Sequence, residues 1–506
     1  MNVQQKSFHP LRSDVGRLFF VTLFLLVFIM GARTPLDTDV WWQLRAGEET
    51  WRAGAPVLVD HFSFTHYGGR WINHSWLGQV FLYLAYAGAG YWGLTFLVAL
   101  AAAGSLMVIF LMGTSPIPFR SFLIIFGAVA LAPVWSPRPQ VFSLFFLALL
   151  QIALESCKRL GWRKIWFLVI LFVLWSNFHA GYSLGLIFLG CTILGEILNN
   201  LVGLRKDSRP SWIKIFALCG WTAACGIAVL LNPNGLGTWT VQFNTIHVGA
   251  LQRFVVEWAS PDFHDLAQQP FLWLLFATVL VLSLSPERPD GTHVISILCF
   301  AGLALMARRN IGPFALVAIP VLDRYGWSLL GSMLERFKGK KILENYVIPG
   351  GSEPFQRKAS PGVKLLNLLV IALLTIAATI KAYLVAYPSF VEASMAEQFP
   401  VKAVQVLTEN SPSGNLLNEY NWGGYLTWFS RKTPVFVDGR TDLFGDKTIM
   451  EWIDLIQARG NWEAQLDWFE IEYVLLQPDR PILDHLRESG WRLLYEDQGA
   501  VLYTRD

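Results

Sequence analysis

Two aspartates lie one residue apart in the stretch RTPLDTDVWWQLRAGE, which covers residues 33–48 and follows the first apolar run of the chain. Asp37 and Asp39 precede two adjacent tryptophans, Trp41 and Trp42. A carboxylate within hydrogen-bond reach of a hydroxyl can take its proton, so either acid can act as a general base. Hard divalent cations prefer oxygen ligands, so the same pair can instead bind a metal ion such as Mg²⁺ or Mn²⁺.

Arginines near the ends of other apolar runs indicate a second chemistry. Arg308 and Arg309 stand in the short sequence ARRN, and Arg138 stands in SPRPQ. Guanidinium groups form bidentate hydrogen bonds with phosphate. Paired arginines in a short outer turn oppose the usual cytoplasmic excess of basic residues. A phosphate or pyrophosphate ligand explains their position, whereas Arg138 can also simply occupy a turn.

Four histidines complete the set of candidate residues. The stretch DHFSFTHYGGRWINHSW contains His61, His66 and His74, and WSNFHAGY contains His179. An imidazole can hydrogen-bond a polar ligand or serve as an alternative base. Each of the four can equally be a helix cap or a packed polar residue, because buried polar groups are normally hydrogen-bonded.

The composition indicates that membrane helices position these residues. Of the 506 residues, 54% are hydrophobic and 15% are charged, and the mean hydropathy is +0.41. Soluble domains contain about 25% charged residues, so the chain is predicted to be a polytopic α-helical membrane protein. The net charge of +3 is too small to indicate nucleic acid as a partner. The five cysteines have no metal-like spacing.

Eleven apolar runs are predicted to cross the bilayer, because a spanning helix needs about 20 mostly apolar residues. They are 16–34, 90–113, 121–136, 139–156, 165–179, 181–201, 214–231, 271–286, 292–307, 310–323 and 363–386. The apolar run 74–89 is short, and we expect it to form a juxtamembrane or re-entrant helix within a first outer loop of residues 34–89.

Basic residues predict which loops face the cytoplasm. With eleven spans and a cytoplasmic N-terminus, the basic loops 157–164 and 203–214 and the linker 324–362 all lie on the cytoplasmic side. The candidate acids, arginines and imidazoles then all lie on the outer face. Such a mixture at the ends of spans is typical of an active site at membrane level.

The tail, residues 388–506, has the pattern of a small extracytoplasmic α/β domain that follows the transmembrane domain 1–387. GNLLNEY, TPVFVDGR, EYVLLQ and AVLYT are predicted strands, and NWGGYLTWF, DKTIMEWIDLIQAR and RPILDHLRESG are predicted helices. Alternation of strands and helices favours an α/β fold. Asp438 and Arg440 are interpreted as a local turn pair that has no wider role.

Three stretches carry a resemblance to a known family. LDTDVWWQLRAGE, WINHSWLGQVFLYLAYAGAGYWGL and the tail NWGGYLTWF…VFVDGRTDLFG resemble the GT-C class of integral membrane glycosyltransferases, which includes protein mannosyltransferases, aminoarabinose transferases and oligosaccharyltransferases. The shared layout is an acidic pair near the start of a long first outer loop, many spans and an outer soluble domain. The Trp-Trp-Asp signature of oligosaccharyltransferases is absent, so protein N-glycosylation is not indicated.

The resemblance implies transfer of a sugar from a polyprenyl-phosphate donor to an acceptor glycan, lipid or protein outside a bacterial inner membrane. Asp39 is then the first candidate for the base and Asp37 the second, and both are candidate ligands of a divalent cation, Mg or Mn. The candidate substrate-binding residues are Arg308, Arg309, Arg138, His61, His66, His74, His179, Trp41 and Trp42. The two tryptophans are expected to hold the loop at the bilayer surface or to stack on a sugar ring.

Two alternatives stay open. One is a non-enzymatic transporter, flippase or scaffold, although such a transporter often has internal repeats and broken helices in two similar halves, and the sequence shows no repeat. The other is a glycan ligase that uses a polyprenyl-pyrophosphate donor. A ligase shares the need for outer arginines but does not need the first-loop acids, so the effect of Asp39→Asn distinguishes it from a transferase.

Overall fold

The computed structural model describes residues 14–160, 165–202, 212–241, 249, 255–337, 360–410 and 414–505. These residues are mostly helical, with one four-stranded sheet near the C-terminus. The greater part of the basic loops at 157–164 and 203–214 and of the predicted linker lies outside the described residues. The orientation that depends on those loops therefore stays a prediction.

Thirteen α-helices precede residue 386 in the described part of the chain. They are α1 (Asp14–Gly31), α2 (Val40–Ala53), α3 (Trp76–Met112), α4 (Ile117–Leu131), α5 (Gln140–Leu160), α6 (Phe167–Phe178), α7 (Tyr182–Val202), α8 (Trp212–Ala228), α9 (Gln269–Leu284), α10 (Gly291–Met306), α11 (Ile311–Val321), α12 (Trp327–Phe337) and α13 (Pro361–Val385). Among the described residues, six helices are long and apolar enough to cross a membrane, and four apolar helices are shorter. Each predicted run coincides with a helix, whereas the number of eleven spans stays a prediction.

Local sequence signals set several helix starts. Asp290 precedes α10 and accepts a hydrogen bond from the backbone N–H of Thr292 at 2.9 Å. Ser360 precedes α13 in the same way and is followed by Pro361, whose fixed φ suits the first helical turn. Such caps satisfy backbone donors that have no partner within the helix.

Helix α3 joins the predicted juxtamembrane run 74–89 to the following span. The backbone leaves helical geometry at Ala89 and Gly90, and Gly90 has a φ of +58°, which suits glycine because it has no Cβ. The break falls where the sequence separates the two runs. The first part of α3 packs against α2, where the carbonyl of Gln79 lies against Gly47, and the assignment of both to a first outer loop stays a prediction.

The start of the predicted cytoplasmic linker 324–362 is helical, and its place as a cytoplasmic linker stays a prediction. A π-helical turn, Leu322–Gly326, continues α11 directly into α12. The buried carboxylate of Asp323 accepts hydrogen bonds from the backbone N–H groups of Thr114 at 2.7 Å and Ser115 at 3.2 Å. This link holds the chain against the helix bundle, so the helix continues where a linker was expected.

The C-terminal domain is a mixed sheet covered by short helices. Its helices are α14 (Pro388–Gln398), α15 (Val401–Glu409), α16 (Gly423–Phe429), α17 (Thr441–Ile456), α18 (Trp462–Trp468) and α19 (Ile482–Glu488), and its strands are β1 (Asn415–Asn418), β2 (Ile471–Leu476), β3 (Arg492–Glu496) and β4 (Val501–Thr504). The strand order is β1-β2-β4-β3; β1 and β2 are parallel, and the other two pairs are antiparallel. The predicted α/β character is confirmed, and β3 was not predicted.

The predicted strand TPVFVDGR is wrong, because only Val435 in it makes a ladder contact, with Leu416 on one side and Ser63 on the other. The side chain of Asn418, rather than a neighbouring strand, makes the hydrogen bonds to the backbone of this segment. It accepts from the N–H of Phe436 at 2.8 Å and donates to the carbonyl of Val437 at 2.8 Å. The segment therefore connects the sheet to the first loop, whose residue Ser63 extends the same ladder.

One buried arginine joins the first loop to the C-terminal domain. The Arg440 guanidinium donates to Asp438 at 2.7–3.0 Å and to Asp60 at 2.5 Å, and all three side chains are fully buried. The rings of Phe62 and Trp71 lie 5.0 and 4.9 Å from its central carbon. Asp438 and Arg440 are therefore more than a local turn pair, because Asp60 completes the cluster from 380 residues away.

We expect Arg440→Met to destabilise the protein by about 3–5 kcal/mol, because it leaves two buried carboxylates without their cation. Denaturant unfolding of the purified protein in detergent measures this change. Arg505→Met is the matched control, since Arg505 pairs with Asp467 at the surface and such pairs contribute less than about 1 kcal/mol. Equal midpoints for the two variants would contradict the proposed importance of the buried cluster.

Candidate functional site

Asp39 lies at the N-terminus of α2, where the first loop leaves α1. Its backbone N–H donates to Asp37 Oδ1 at 2.9 Å, which holds the two acids in a fixed relation. Its own Oδ1 accepts from Trp42 Nε1 at 3.1 Å, and its Oδ2 accepts from Arg138 Nη1 at 3.0 Å. Both oxygens are thus oriented by donors, and one of the donors carries a full positive charge.

Arg138 is the centre of a charged cluster. Besides Asp39, it donates through Nη2 to Glu257 Oε2 at 2.5 Å, and its Nε lies 3.3 Å from Asp37 Oδ2. Asp37 also accepts from the hydroxyl of Ser136. Three carboxylates from two separate loops therefore surround one guanidinium group, which comes from the turn before α5.

The two adjacent arginines before α11 have different environments. Arg309 Nη1 lies 3.7 Å from Glu257 Oε1, and its guanidinium carbon lies 4.5 Å from the centre of the Trp258 ring. Arg308 instead donates its backbone N–H to the carbonyl of Ala259 at 3.0 Å and its Nε to that of Ser260 at 3.5 Å. The structure therefore brings Arg309 into the charged cluster. The described contacts of Arg308 are with backbone carbonyls next to the cluster and not with its carboxylates.

The surroundings of Asp39 raise its pKa to about 7. Burial is the main cause, the negative charges of Asp37 and Glu257 add to it, and Arg138 acts in the opposite direction. Burial also acts to raise the pKa of Glu257, but the charges of Arg138 and Arg309 outweigh it, so this pKa is lowered. Asp39 is thus the carboxylate suited to exchange a proton near neutrality, and Glu257 stays ionised.

His74 and His179 lie together on one side of the cluster, with ring centres 6.2 Å apart. The Nδ1 of His179 accepts from the backbone N–H of Gly181 at 3.0 Å and lies 2.8 Å from the hydroxyl of Ser143, which indicates a neutral ring protonated on Nε2. Burial lowers the pKa of His74, while the charge of Asp442 acts to raise it. Both rings are therefore neutral polar groups beside the charged cluster.

His61 and His66 have other partners. His61 Nε2 contacts the carboxylate of Glu49, and this hydrogen bond raises the pKa of His61. His66 Nε2 lies 3.0 Å from the hydroxyl of Thr448 in the C-terminal domain. Among the described contacts, neither histidine touches Asp39 or an arginine of the cluster, so their predicted role in substrate binding stays untested.

The predicted membrane-surface role of Trp41 and Trp42 does not fit their burial. Trp41 is fully buried and packs against Phe429, with ring centres 5.0 Å apart. Trp42 is 8% exposed and packs against Trp71 at 5.9 Å. Neither ring is free to stack on a sugar or to enter the headgroup layer. Their positions serve packing, and Trp42 in addition orients Asp39.

The C-terminal domain contributes residues that sequence reasoning missed. A Cβ atom on Gly439 would lie 1.8 Å from Asp39 Oδ1, so the backbone of the DGR turn directly contacts the candidate base. Tyr420 lies in the same region, and its hydroxyl is 2.5 Å from that of Thr441. Burial and the charge of Asp39 raise the pKa of Tyr420, so its phenol remains a hydrogen-bond donor. The DGRTD stretch, which belongs to the resemblance and contains Gly439 and Thr441, was the available signal, whereas Tyr420 precedes NWGGY.

A divalent cation between Asp37 and Asp39 does not fit this arrangement. The guanidinium of Arg138 already lies against Oδ2 of both acids, at 3.3 and 3.0 Å. In the part of the chain that the structure describes, no group of three or more His, Cys, Asp or Glu side chains is placed to hold a metal ion.

Solved structures share this architecture. The oligosaccharyltransferase AglB from Archaeoglobus fulgidus, in complex with an inhibitory peptide and a dolichol-phosphate, is 12% identical over 92% of this chain and 70% of its own, with a TM-score of 0.52. An oligosaccharyltransferase from Archaeoglobus fulgidus, tethered with an acceptor peptide containing the NVT sequon, has a TM-score of 0.51 at 12% identity, over 97% of this chain and 74% of its own. ArnT from Cupriavidus metallidurans bound to undecaprenyl phosphate is 14% identical over 96% of this chain and 97% of its own, with a TM-score of 0.48.

No protein-family model matches the chain, and no curated protein matches its sequence. At 12% identity, the likeness to the archaeal enzyme shows the fold alone. The chain thus has the fold of the GT-C class of membrane glycosyltransferases, as the sequence resemblance predicts. The six long apolar helices among the described residues support an integral membrane protein.

We expect a carboxyl group of this site to titrate near pH 7. Infrared difference spectra of the purified protein should show a protonated carboxyl band that disappears as the pH rises through 7, and Asp39→Asn should remove that band. Asp37→Asn should move the titration to lower pH, because it removes a negative charge that raises the pKa of Asp39. A band that survives in Asp39→Asn at the same pH would assign the titration to another group.

Proposed function

We propose that the protein is a glycosyltransferase that moves a sugar from a polyprenyl-phosphate donor to an acceptor hydroxyl at the extracytoplasmic face of the membrane. The observation that carries this proposal is the contact between Asp39, whose pKa is near 7, and Arg138. A base suited to neutral pH and a phosphate-binding cation lie side by side. The dolichol-phosphate bound to AglB, which shares the fold, supports a lipid-phosphate donor.

In the proposed reaction, the acceptor oxygen attacks the anomeric carbon of the donor sugar. The new carbon–oxygen bond forms as the bond between the anomeric carbon and the phosphate oxygen breaks, and the polyprenyl phosphate leaves with the electron pair. The acceptor proton moves to Asp39. General bases of this kind contribute about 10²–10⁴-fold to the rate. Trp42 hydrogen-bonds Oδ1 of Asp39, and Arg138 hydrogen-bonds Oδ2. These two bonds fix the orientation of the carboxylate toward the acceptor.

The leaving phosphate gains negative charge, which the arginines can stabilise. Arg138 and Arg309 both face the Glu257 carboxylate, so a single anion in that position reaches both guanidinium groups. Preorganised cations of this kind lower the barrier because they need no reorganisation when the charge develops. We assign neutral His74 and His179 to hydrogen-bond the sugar or the phosphate, because the charge of Arg309 acts on both rings. Arg308, whose described contacts lie beside the cluster, has at most a role at its edge.

The C-terminal domain completes the site from the outer side. Gly439 contacts Asp39, and Gly424 lies so close to the carbonyl of Thr38 that a Cβ there would be 2.6 Å away. The Tyr420 phenol is a further donor near the Asp39 charge. We therefore assign this domain a direct part in shaping the acceptor side of the site. The acceptor is a glycan, lipid or protein that provides a hydroxyl group.

A glycan ligase that uses a polyprenyl-pyrophosphate donor is the second candidate, because paired arginines suit a pyrophosphate as well. The first-loop acids favour a transferase, since a base is positioned beside the arginines. A transporter, flippase or scaffold is disfavoured, because the charged cluster lies at loop residues rather than within the helices. A transferase uses a polyprenyl-phosphate donor and a ligase uses a polyprenyl-pyrophosphate donor, so a comparison of the two donors distinguishes the two enzymes.

We expect Asp39→Asn to lower the turnover number by about 10²–10⁴-fold, because the acceptor proton loses its base. Purified protein incubated with a panel of polyprenyl-phosphate sugars, with the released polyprenyl phosphate measured by mass spectrometry, gives the rate. In the wild type the rate should rise as the pH passes through about 7, since Asp39 must be ionised. Asp467→Asn, an exposed acid of the C-terminal domain, is the control.

Unchanged turnover in Asp39→Asn would remove Asp39 as the base. Release of polyprenyl pyrophosphate from a pyrophosphate-linked donor, with none from the monophosphate donors, would favour the ligase.

We expect Gly439→Ala to reduce turnover by at least about tenfold, because its Cβ would lie 1.8 Å from Asp39 Oδ1 and must displace the base or the turn. Gly499→Ala is the matched control, because its nearest neighbour would be at an ordinary distance of 3.6 Å. The same mass-spectrometric assay measures both variants, and their thermal unfolding shows whether the domain stays folded. Full activity in a folded Gly439→Ala protein would show that the contact of the C-terminal domain with Asp39 is not needed for the reaction.

A further inference from the structure

Glu257 has no part in the proposed reaction, yet it lies between two guanidinium groups of the site. Its Oε2 accepts from Arg138 Nη2 at 2.5 Å, and its Oε1 lies 3.7 Å from Arg309 Nη1. Each oxygen therefore faces a different guanidinium group. One carboxylate bridges the two arginines that the proposed function assigns to the donor phosphate.

The arginines have little capacity for a further anion while Glu257 is in place. Nη1 of Arg138 is bonded to Asp39, Nη2 is bonded to Glu257, and Nε faces Asp37. The cluster also contains three carboxylates against two guanidinium groups. A phosphate added to this set would meet an excess of negative charge at short range, which costs free energy in a half-buried site.

Carboxylate and phosphate oxygens bind guanidinium groups with the same paired geometry. We propose that Glu257 is a resident anion that closes the phosphate-binding position, and that the phosphate of the lipid donor displaces it from Arg138 and Arg309. This inference rests on the proposed function and adds a competing group to its donor site. The donor must therefore replace an existing ion pair when it binds.

The segment that carries Glu257 is suited to such a movement. It is a short 3₁₀ turn, Val256–Trp258, in which no residue is buried, and Val256 is 65% exposed. Trp258 packs against the core of the C-terminal domain, so a rotation of the Glu257 side chain that leaves Trp258 in place removes little apolar surface from the core. The contact of Trp258 with Arg309 and the hydrogen bond from Arg308 to Ala259 connect the turn to the arginine pair. These contacts hold the turn beside the arginines while the Glu257 side chain rotates away from them.

The test is binding of polyprenyl phosphate to Glu257→Gln. Glutamine keeps the size of the side chain and its oxygen acceptor but removes the competing charge, so we expect polyprenyl phosphate to bind about tenfold more tightly than to the wild type. Titration of the purified full chain in detergent, with native mass spectrometry as the readout, gives the dissociation constants. Polyprenol, which lacks the phosphate, shows how much binding comes from the lipid tail and should bind both proteins equally.

Asp262→Asn is the matched control, because it removes the same charge from the same loop, and Asp262 is exposed and contacts His264. Its affinity for polyprenyl phosphate should equal that of the wild type. Equal or weaker binding to Glu257→Gln, with clear binding to the wild type, overturns the inference and leaves the proposed donor site intact. If neither protein prefers polyprenyl phosphate to polyprenol, the donor assignment and the inference fail together.

Discussion

The charge of Arg138 is the constraint on which the rest of the site depends. A guanidinium group that is largely removed from water must be paired, because an unpaired buried charge costs several kcal/mol. Its partners are Asp37 and Asp39 from the first loop and Glu257 from the loop before α9. Satisfying this one cation therefore fixes separate parts of the chain against each other. It also places the acids where their pKa values differ, so that one carboxylate can carry a proton near neutrality and another stays ionised.

A second buried cation sets the position of the C-terminal domain. Arg440 is bonded to Asp438 within its own turn and to Asp60 in the first loop. This cluster brings the neighbouring Gly439 against Asp39, where only a residue without a side chain fits. The domain that the sequence predicts as a separate outer unit thus shares its packing with the first loop. Trp41, Leu44 and Leu416 belong to one common core.

The helices were predictable because a bilayer imposes a length and an apolar composition that can be counted along the chain. Asp39 and Arg138 were predictable as candidates, since a carboxylate can act as a base and a guanidinium group can bind phosphate. TPVFVDGR was mispredicted because its apolar alternation is that of a strand, whereas its hydrogen bonds are supplied by the side chain of Asn418. Residue pattern does not encode which side chain will replace a neighbouring strand.

The sequence by itself determined the membrane helices, the α/β character of the tail and the residue types of the site, because hydrophobic length and residue chemistry are local properties. Only the tertiary structure decided which of these residues meet. Arg138 lies 99 residues from Asp39 and 119 from Glu257 along the chain. The separation of Arg309 from its neighbour Arg308, the burial of Trp41 and Trp42, and the contact of Gly439 with Asp39 all follow from long-range packing. Charge pairing and close packing act between surfaces that meet only after folding, so no local pattern reveals them.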